Sequence, residues 1–209
     1  GIDGVEVVAS HGYLPAQFMS TQVNLREDDY GGSLENRLRF SANILQAIRA
    51  ATSDDFVIGM RISADEKDAG GLDADEVLAI ARALEPHLDY VNLTLGTSAT
   101  LGGAIHIAPP MAFKAGYVAE QTKVFKDALG IPILVAGRIN QPQDADAIIK
   151  NGQADMCGMT RALICDPKMP EKALHSQFDD IRACIACNQA CIGHFHKGQP
   201  ISCIHYPQT

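Results

Sequence analysis

Basic residues are in the minority in this 209-residue chain: 17 Lys and Arg stand against 25 Asp and Glu, a formal net charge of −8. That balance, with a pI near 5.3, excludes an extended nucleic-acid-binding surface, which needs clustered positive charge. No apolar run reaches the roughly 18–20 residues of a membrane-spanning helix, so a membrane partner is not expected. A signal-peptide pattern is also missing, which points to a cytoplasmic protein. There is no initiator methionine. The chain opens at Gly1, directly before a strand-like run, and stops six residues after Cys203. Both ends are those expected of a piece cut from a larger protein. What is present, 46% hydrophobic and 20% charged residues, suits an ordinary α/β domain.

Four of the six cysteines fall within twenty residues, as Cys184, Cys187, Cys191 and Cys203 in the spacing C-x2-C-x3-C-x11-C. Short loops between ligands lower the entropy cost of bringing thiolates to one metal centre. Zinc accepts four thiolates, but its usual signature is two separated C-x2-C knuckles. Three close cysteines and a distant fourth suit a [4Fe-4S] cluster, one cysteine per iron. A disulfide framework belongs to shorter, secreted chains. Electron transfer is therefore the leading expectation.

Strand-like and helix-like runs alternate along the chain. Gly4–Val8 reads as a strand, and the pattern from Ser33 to about Ala51 as an amphipathic helix. Phe56–Ile62, Tyr90–Leu95, Ile131–Ala136 and Ala154–Met159 read as further strands. Helices are expected over about Ala74–Leu88, Val118–Leu129 and Gln141–Asn151. Nearly all-apolar strands separated by helices predict a parallel sheet. The chemistry-bearing residues follow the strands, where a (β/α)8 TIM barrel or a doubly wound sheet builds its site. Five strands make about the C-terminal part of such a barrel, with three missing before Gly1. An arc with unpaired edges is expected to be poorly soluble by itself.

Gly137-Arg138 ends the fourth strand and Gly158-Met-Thr160-Arg161 the fifth. Glycine lets backbone N–H groups approach an anion, and arginine adds a fork of donors matched to phosphate. Ordinary surface ion pairs are the alternative. Arg61 stands inside the apolar strand Val57–Ile62, where a guanidinium needs an anionic partner. That partner is either a salt bridge within the barrel or a flavin, whose N1–C2=O edge becomes negative on reduction.

The segments Gly4-Val-Glu-Val-Val-Ala-Ser-His-Gly-Tyr-Leu14, Gln17-Phe18 and Asn24-x-Arg26-x-Asp28-x-Tyr30-Gly-Gly-Ser-Leu-Glu-Asn-Arg37 resemble the old yellow enzyme family of flavin barrels. The cysteine tail points to its iron–sulfur branch, which includes 2,4-dienoyl-CoA reductase and trimethylamine dehydrogenase. The resemblance runs across the whole chain. It implies barrel strands four to eight over residues 1–178, and a cluster segment over 179–209. Strands one to three, and C-terminal domains binding FAD and NAD(P)H, would lie outside.

By matching positions, the resemblance places Arg61 at the flavin N1/O2 edge. It places Gly137, Arg138, Thr160 and Arg161 around the FMN phosphate, and the four tail cysteines on the cluster. Tyr13 matches the proton donor of the reductases. A phenol keeps its proton at neutral pH and can deliver it as carbanion character develops; otherwise Tyr13 fills the barrel mouth. Val8 and His11 depart from the His-x-x-Asn pair that grips the substrate carbonyl in simpler members. Val8 also stands where the amine dehydrogenases have tyrosine. His11 is thus a substrate contact or a satisfied loop histidine. His106 lies in the Gly/Ala-rich loop that should roof the site, as a relay or as structure. Cys157 and Cys165 read as core residues, and His194, His196 and His205 as solvated neighbours of the cluster.

These features imply an FMN- and [4Fe-4S]-dependent oxidoreductase. NAD(P)H or an electron-transfer partner would exchange electrons with it, and it would act on a small-molecule substrate. Reduction of an activated C=C is expected, with oxidative N-demethylation as the alternative. A non-redox phosphate-binding barrel with a structural zinc loop is the distant one.

Overall fold

In the computed structural model, which describes residues 1–208, five parallel strands form one sheet in the order β1-β2-β3-β4-β5. They are β1 (Gly4–Ala9), β2 (Val57–Ser63), β3 (Tyr90–Thr94), β4 (Ile133–Ala136) and β5 (Met156–Gly158). Every strand pairs with the next one in sequence, the arrangement that right-handed β-α-β crossovers generate. The helices are α1 (Leu14–Met19), α2 (Leu34–Ala51), α3 (Ala74–Leu84), α4 (Leu101–Ala104) and α5 (Ala119–Ala128). They continue with α6 (Pro142–Lys150), α7 (Thr160–Cys165), α8 (Met169–Leu174) and α9 (Ile192–His196). No helix among the described residues is long and apolar enough to cross a membrane.

The sheet's two faces differ in chemistry. Ile58, Met60 and Ile62 of β2 are at most 1% exposed and join Val91, Leu93, Ile133 and Val135 in the core. The alternate residues Gly59, Arg61 and Ser63 must face the other way, into the concave side. Parallel register aligns Val8, Arg61, Asn92 and Leu134 across four strands of that inner face.

Local chemistry sets the element ends. The Ser33 Oγ accepts from the Asn36 amide to start α2, and Asp73 with Glu76 forms a reciprocal capping box on α3. The long helix expected to reach Leu88 stops at Leu84 instead. Pro86, which has no N–H, turns the chain into a 3-10 segment over Glu85–His87. Similarly, β4 begins at Ile133 rather than Ile131, after Pro132, whose carbonyl still accepts from Val91. The Asp155 carboxylate takes the Ile133 N–H and pairs with Lys126 just before β5, which is three residues long.

Candidate active site

At the C-terminal ends of the strands, Arg61, Gly137, Arg138, Thr160, Arg161 and His11 line one cavity of about 140 Å³, with no carboxylate among its lining residues. Sequence reasoning placed these six in a common site, and the fold brings them together. A Cβ on Gly137 would lie 2.4 Å from a Val118 methyl, so the turn beneath Arg138 admits only glycine. Arg138 itself has φ 51°, a left-handed conformation that costs a non-glycine residue energy. Its Nε donates to the Pro110 carbonyl (3.1 Å) and its Nη2 to that of Met111 (3.2 Å). Arg161 Nη1 donates to the Pro109 carbonyl (2.9 Å) and to Asn188 Oδ1 (2.6 Å). Both guanidiniums are thus oriented by neutral acceptors, and their charge is free to act on an anion.

Arg61 is answered differently. Its Nη2 lies 2.7 Å from the Glu6 carboxylate. The salt bridge anticipated as one alternative is present, and its acid is a residue that sequence reasoning did not single out. Arg61 Nε is buried with no hydrogen-bond partner among the described residues. The available signal was spacing: Glu6 lies two residues before Val8 on the same strand face.

His11 also adopts a left-handed φ, 59°. It is strapped between strands: its N–H donates to Ser63 Oγ (3.1 Å), and its carbonyl accepts from the Ser98 N–H and Oγ. Its Nδ1 lies 3.3 Å from the Gly96 carbonyl. That contact holds a neutral ring in the tautomer with the proton on Nδ1, leaving Nε2 an acceptor. Burial lowers the His11 pKa, and the nearby Arg61 charge lowers it further. Tyr13 lies at the rim before α1, 58% exposed, and does not line the arginine cavity. His106 Nδ1 sits 2.9 Å from the Tyr117 hydroxyl in the roofing segment. Burial lowers the His106 pKa and pushes Tyr117 up to about 12.

Cys184, Cys187, Cys191 and Cys203 line a second cavity, and Arg161 stands in its wall as well. All six cysteines are free thiols. Among the described residues no three His, Cys, Asp or Glu side chains converge tightly enough for a single metal ion; the four thiols ring a shared space instead. Two anchors hold this segment. Asn188, at φ 59°, accepts from Arg161 and donates to the Ala108 carbonyl (2.6 Å). Buried Asp166 accepts from Lys172 Nζ (2.6 Å) and the Arg182 N–H (2.9 Å). Cys165 is fully buried, its thiol pushed up to about 12 by burial and by a hydrogen bond with Cys203. Cys157 is pushed up to about 11 by burial. His194 bonds the Pro200 carbonyl, and His205 is on the cysteine cavity wall.

An arc of parallel β/α units with arginines and glycines gathered at its strand ends has the layout of a partial phosphate-binding β/α barrel. The chain belongs to the NADH:flavin oxidoreductase / NADH oxidase family, whose model matches residues 1–180. It is 37% identical over 206 residues to a metal reductase of Desulforamulus reducens, covering 98% of this chain and 30% of the relative. It is 36% identical to an N,N-dimethylglycine/sarcosine dehydrogenase of Chromohalobacter salexigens, covering 100% and 30%. Among solved structures, a 2-naphthoyl-CoA reductase bound to 2-naphthoyl-CoA superposes with a TM-score of 0.93 at 35% identity, covering 100% of this chain and 31% of that one. The chain thus spans about 30% of the length of these relatives.

Proposed function

We propose that these residues form part of the catalytic domain of an FMN- and [4Fe-4S]-dependent oxidoreductase that reduces an activated C=C, with NAD(P)H as the ultimate donor. One observation carries the reading: a cavity walled by three arginines and free of carboxylates shares Arg161 with a ring of four thiols. The likeness to a naphthoyl-CoA reductase supports the choice of substrate class. Residues 1–178 supply the barrel arc and residues 179–209 the cluster segment; FAD and NAD(P)H are assigned to parts of the complete protein beyond this chain.

The residues fit both groups. Arg138, Arg161, Thr160 and the Gly137 turn would hold the FMN phosphate, Arg61 its N1/O2 edge, and the four cysteines the irons. When bound, the flavin supplies hydride and the cluster passes electrons one at a time. The chain does the rest. Tyr13 delivers a proton from its hydroxyl to the carbon next to the one that receives hydride, and regains it from solvent at the rim. His11, neutral and with Nε2 free, orients the substrate by accepting a hydrogen bond. The roofing segment 108–111 fixes both phosphate arginines through its carbonyls.

A second reading, oxidative N-demethylation, is favoured by that same His11 acceptor, which could take a proton from an ammonium substrate, and by the dimethylglycine dehydrogenase relative. In that direction Tyr13 has no donor role. The deciding experiment measures iron, acid-labile sulfide, zinc and flavin in the complete protein purified without oxygen. About four irons and four sulfides with one FMN per chain are expected. Stoichiometric zinc without flavin would overturn the assignment. Turnover of enoyl thioesters against methylated amines, with wild type and Tyr13→Phe, separates the two directions.

A further inference from the structure

On the inner face of the sheet, the Glu6 carboxylate gathers three donors from two neighbouring strands. Oε1 takes Arg61 Nη2 at 2.7 Å. Oε2 takes Asn92 Nδ2 at 2.8 Å and the Tyr90 hydroxyl at 3.1 Å. The arrangement is built into the backbone. A Cβ on Gly59 would lie 2.0 Å from the Tyr90 ring, so glycine at 59 is what lets that ring lie flat enough to reach Glu6. Tyr90 is pushed up to about 12 by burial and by the Glu6 charge, and therefore remains a donor. Arg61 keeps its buried Nε unpartnered on the wall of the arginine cavity.

We propose that Glu6 is a positioning residue that aims Arg61 at the redox centre and offsets part of its charge, thereby holding down the reduction potential of the bound flavin. The inference rests on the flavin reading of the cavity. Its physical basis is a contrast within that cavity. Arg138 and Arg161 are oriented by carbonyls and an amide, which leave a guanidinium's full charge in place. A site needing only a cation at Arg61 could have used neutral acceptors in the same way. A carboxylate in direct contact reduces the field that Arg61 projects towards any negative charge developing in the cavity. Tyr90 and Asn92, by hydrogen-bonding Glu6, stabilise its charge and weaken its hold on Arg61.

The test uses the complete, FMN-loaded protein and reads the flavin midpoint potential, together with sulfite affinity, which tracks stabilisation of negative charge at the flavin N1 edge. Glu6→Gln preserves shape and an acceptor oxygen but removes the charge. The potential should rise and sulfite should bind roughly tenfold tighter. Tyr90→Phe keeps both charges and removes one competing hydrogen bond, so the potential should shift the other way by less. A Glu6→Gln protein that retains FMN with unchanged potential and sulfite affinity would overturn the proposal while leaving the flavin reading intact. Where Glu6→Gln fails to retain FMN, Tyr90→Phe decides: no shift, or an upward one, sinks the idea. A wild-type protein that holds no flavin removes the underlying reading and this proposal with it.

Discussion

Arg61 and Arg161 wall the same cavity, yet the chain treats their charges in opposite ways. Arg61 meets a carboxylate within the sheet. Arg161 meets a peptide carbonyl and a side-chain amide, with burial, and to a lesser degree the Arg138 charge, drawing its pKa down. A cation given its own anion becomes a fixture of the framework. A cation held by neutral dipoles keeps its charge for whatever anion enters. The same cavity thus contains one arginine already paired with an acid and two held by neutral acceptors alone.

The strongest way to break this comparison is to remove the unanswered charges. Arg161→Gln or Arg138→Gln should each weaken FMN binding by about 2 kcal/mol, roughly thirtyfold, measured by titrating FMN into flavin-free protein. Equal losses for Arg61→Gln would erase the distinction.

Arg61→Gln should instead act on stability, because it leaves Glu6 without its cation. The Arg61 side chain is 39% exposed, so the loss should be about 1 kcal/mol after allowing for solvent screening. A double-mutant cycle with Glu6→Gln should recover part of it; additivity in urea melts would show that the pair is not coupled.

Smaller again, Asn188→Ala should cost about 0.5 kcal/mol and speed the loss of iron in air. Unchanged iron release would show that the clasp on Arg161 does not hold the cysteine segment.

The smallest effect concerns His11, whose neutral state burial and Arg61 both favour. Its folded pKa lies below 6.5, so the unfolded chain takes up a proton first as pH falls. Stability should therefore be full above 6.5 and decline as pH drops through that value towards the lowered one. His11→Gln should flatten that slope in thermal melts at successive pH values.

Much of this was legible from the chain. The five strands were found in order because β-branched runs bounded by glycine and proline carry their own signal, and the glycine–arginine pairs marked the strand ends. Proline's missing N–H explains where the boundaries slipped, at Pro86 and Pro132. The short helices α1, α4, α7, α8 and α9 escaped because four to six residues give too little periodicity to detect. Two contacts of the site were out of reach. For Glu6–Arg61 the strand spacing offered a shared face, but which residues meet across neighbouring strands depends on their register, and Arg161–Asn188 joins the first turn of α7 to a loop 27 residues on. The apolar strand pattern also disguised the polar inner face, since Arg61, Asn92 and Glu6 are each single interruptions in runs that otherwise read as core.

Asn188 ties the two cavities together. One amide group touches the roofing segment at Ala108 and the guanidinium of Arg161, from a position between two cysteines of the tail. The two cavities therefore share a keystone rather than a mere boundary. A displacement of Asn188 reaches both at once, the wall beside Arg161 and the loop that carries the cysteines.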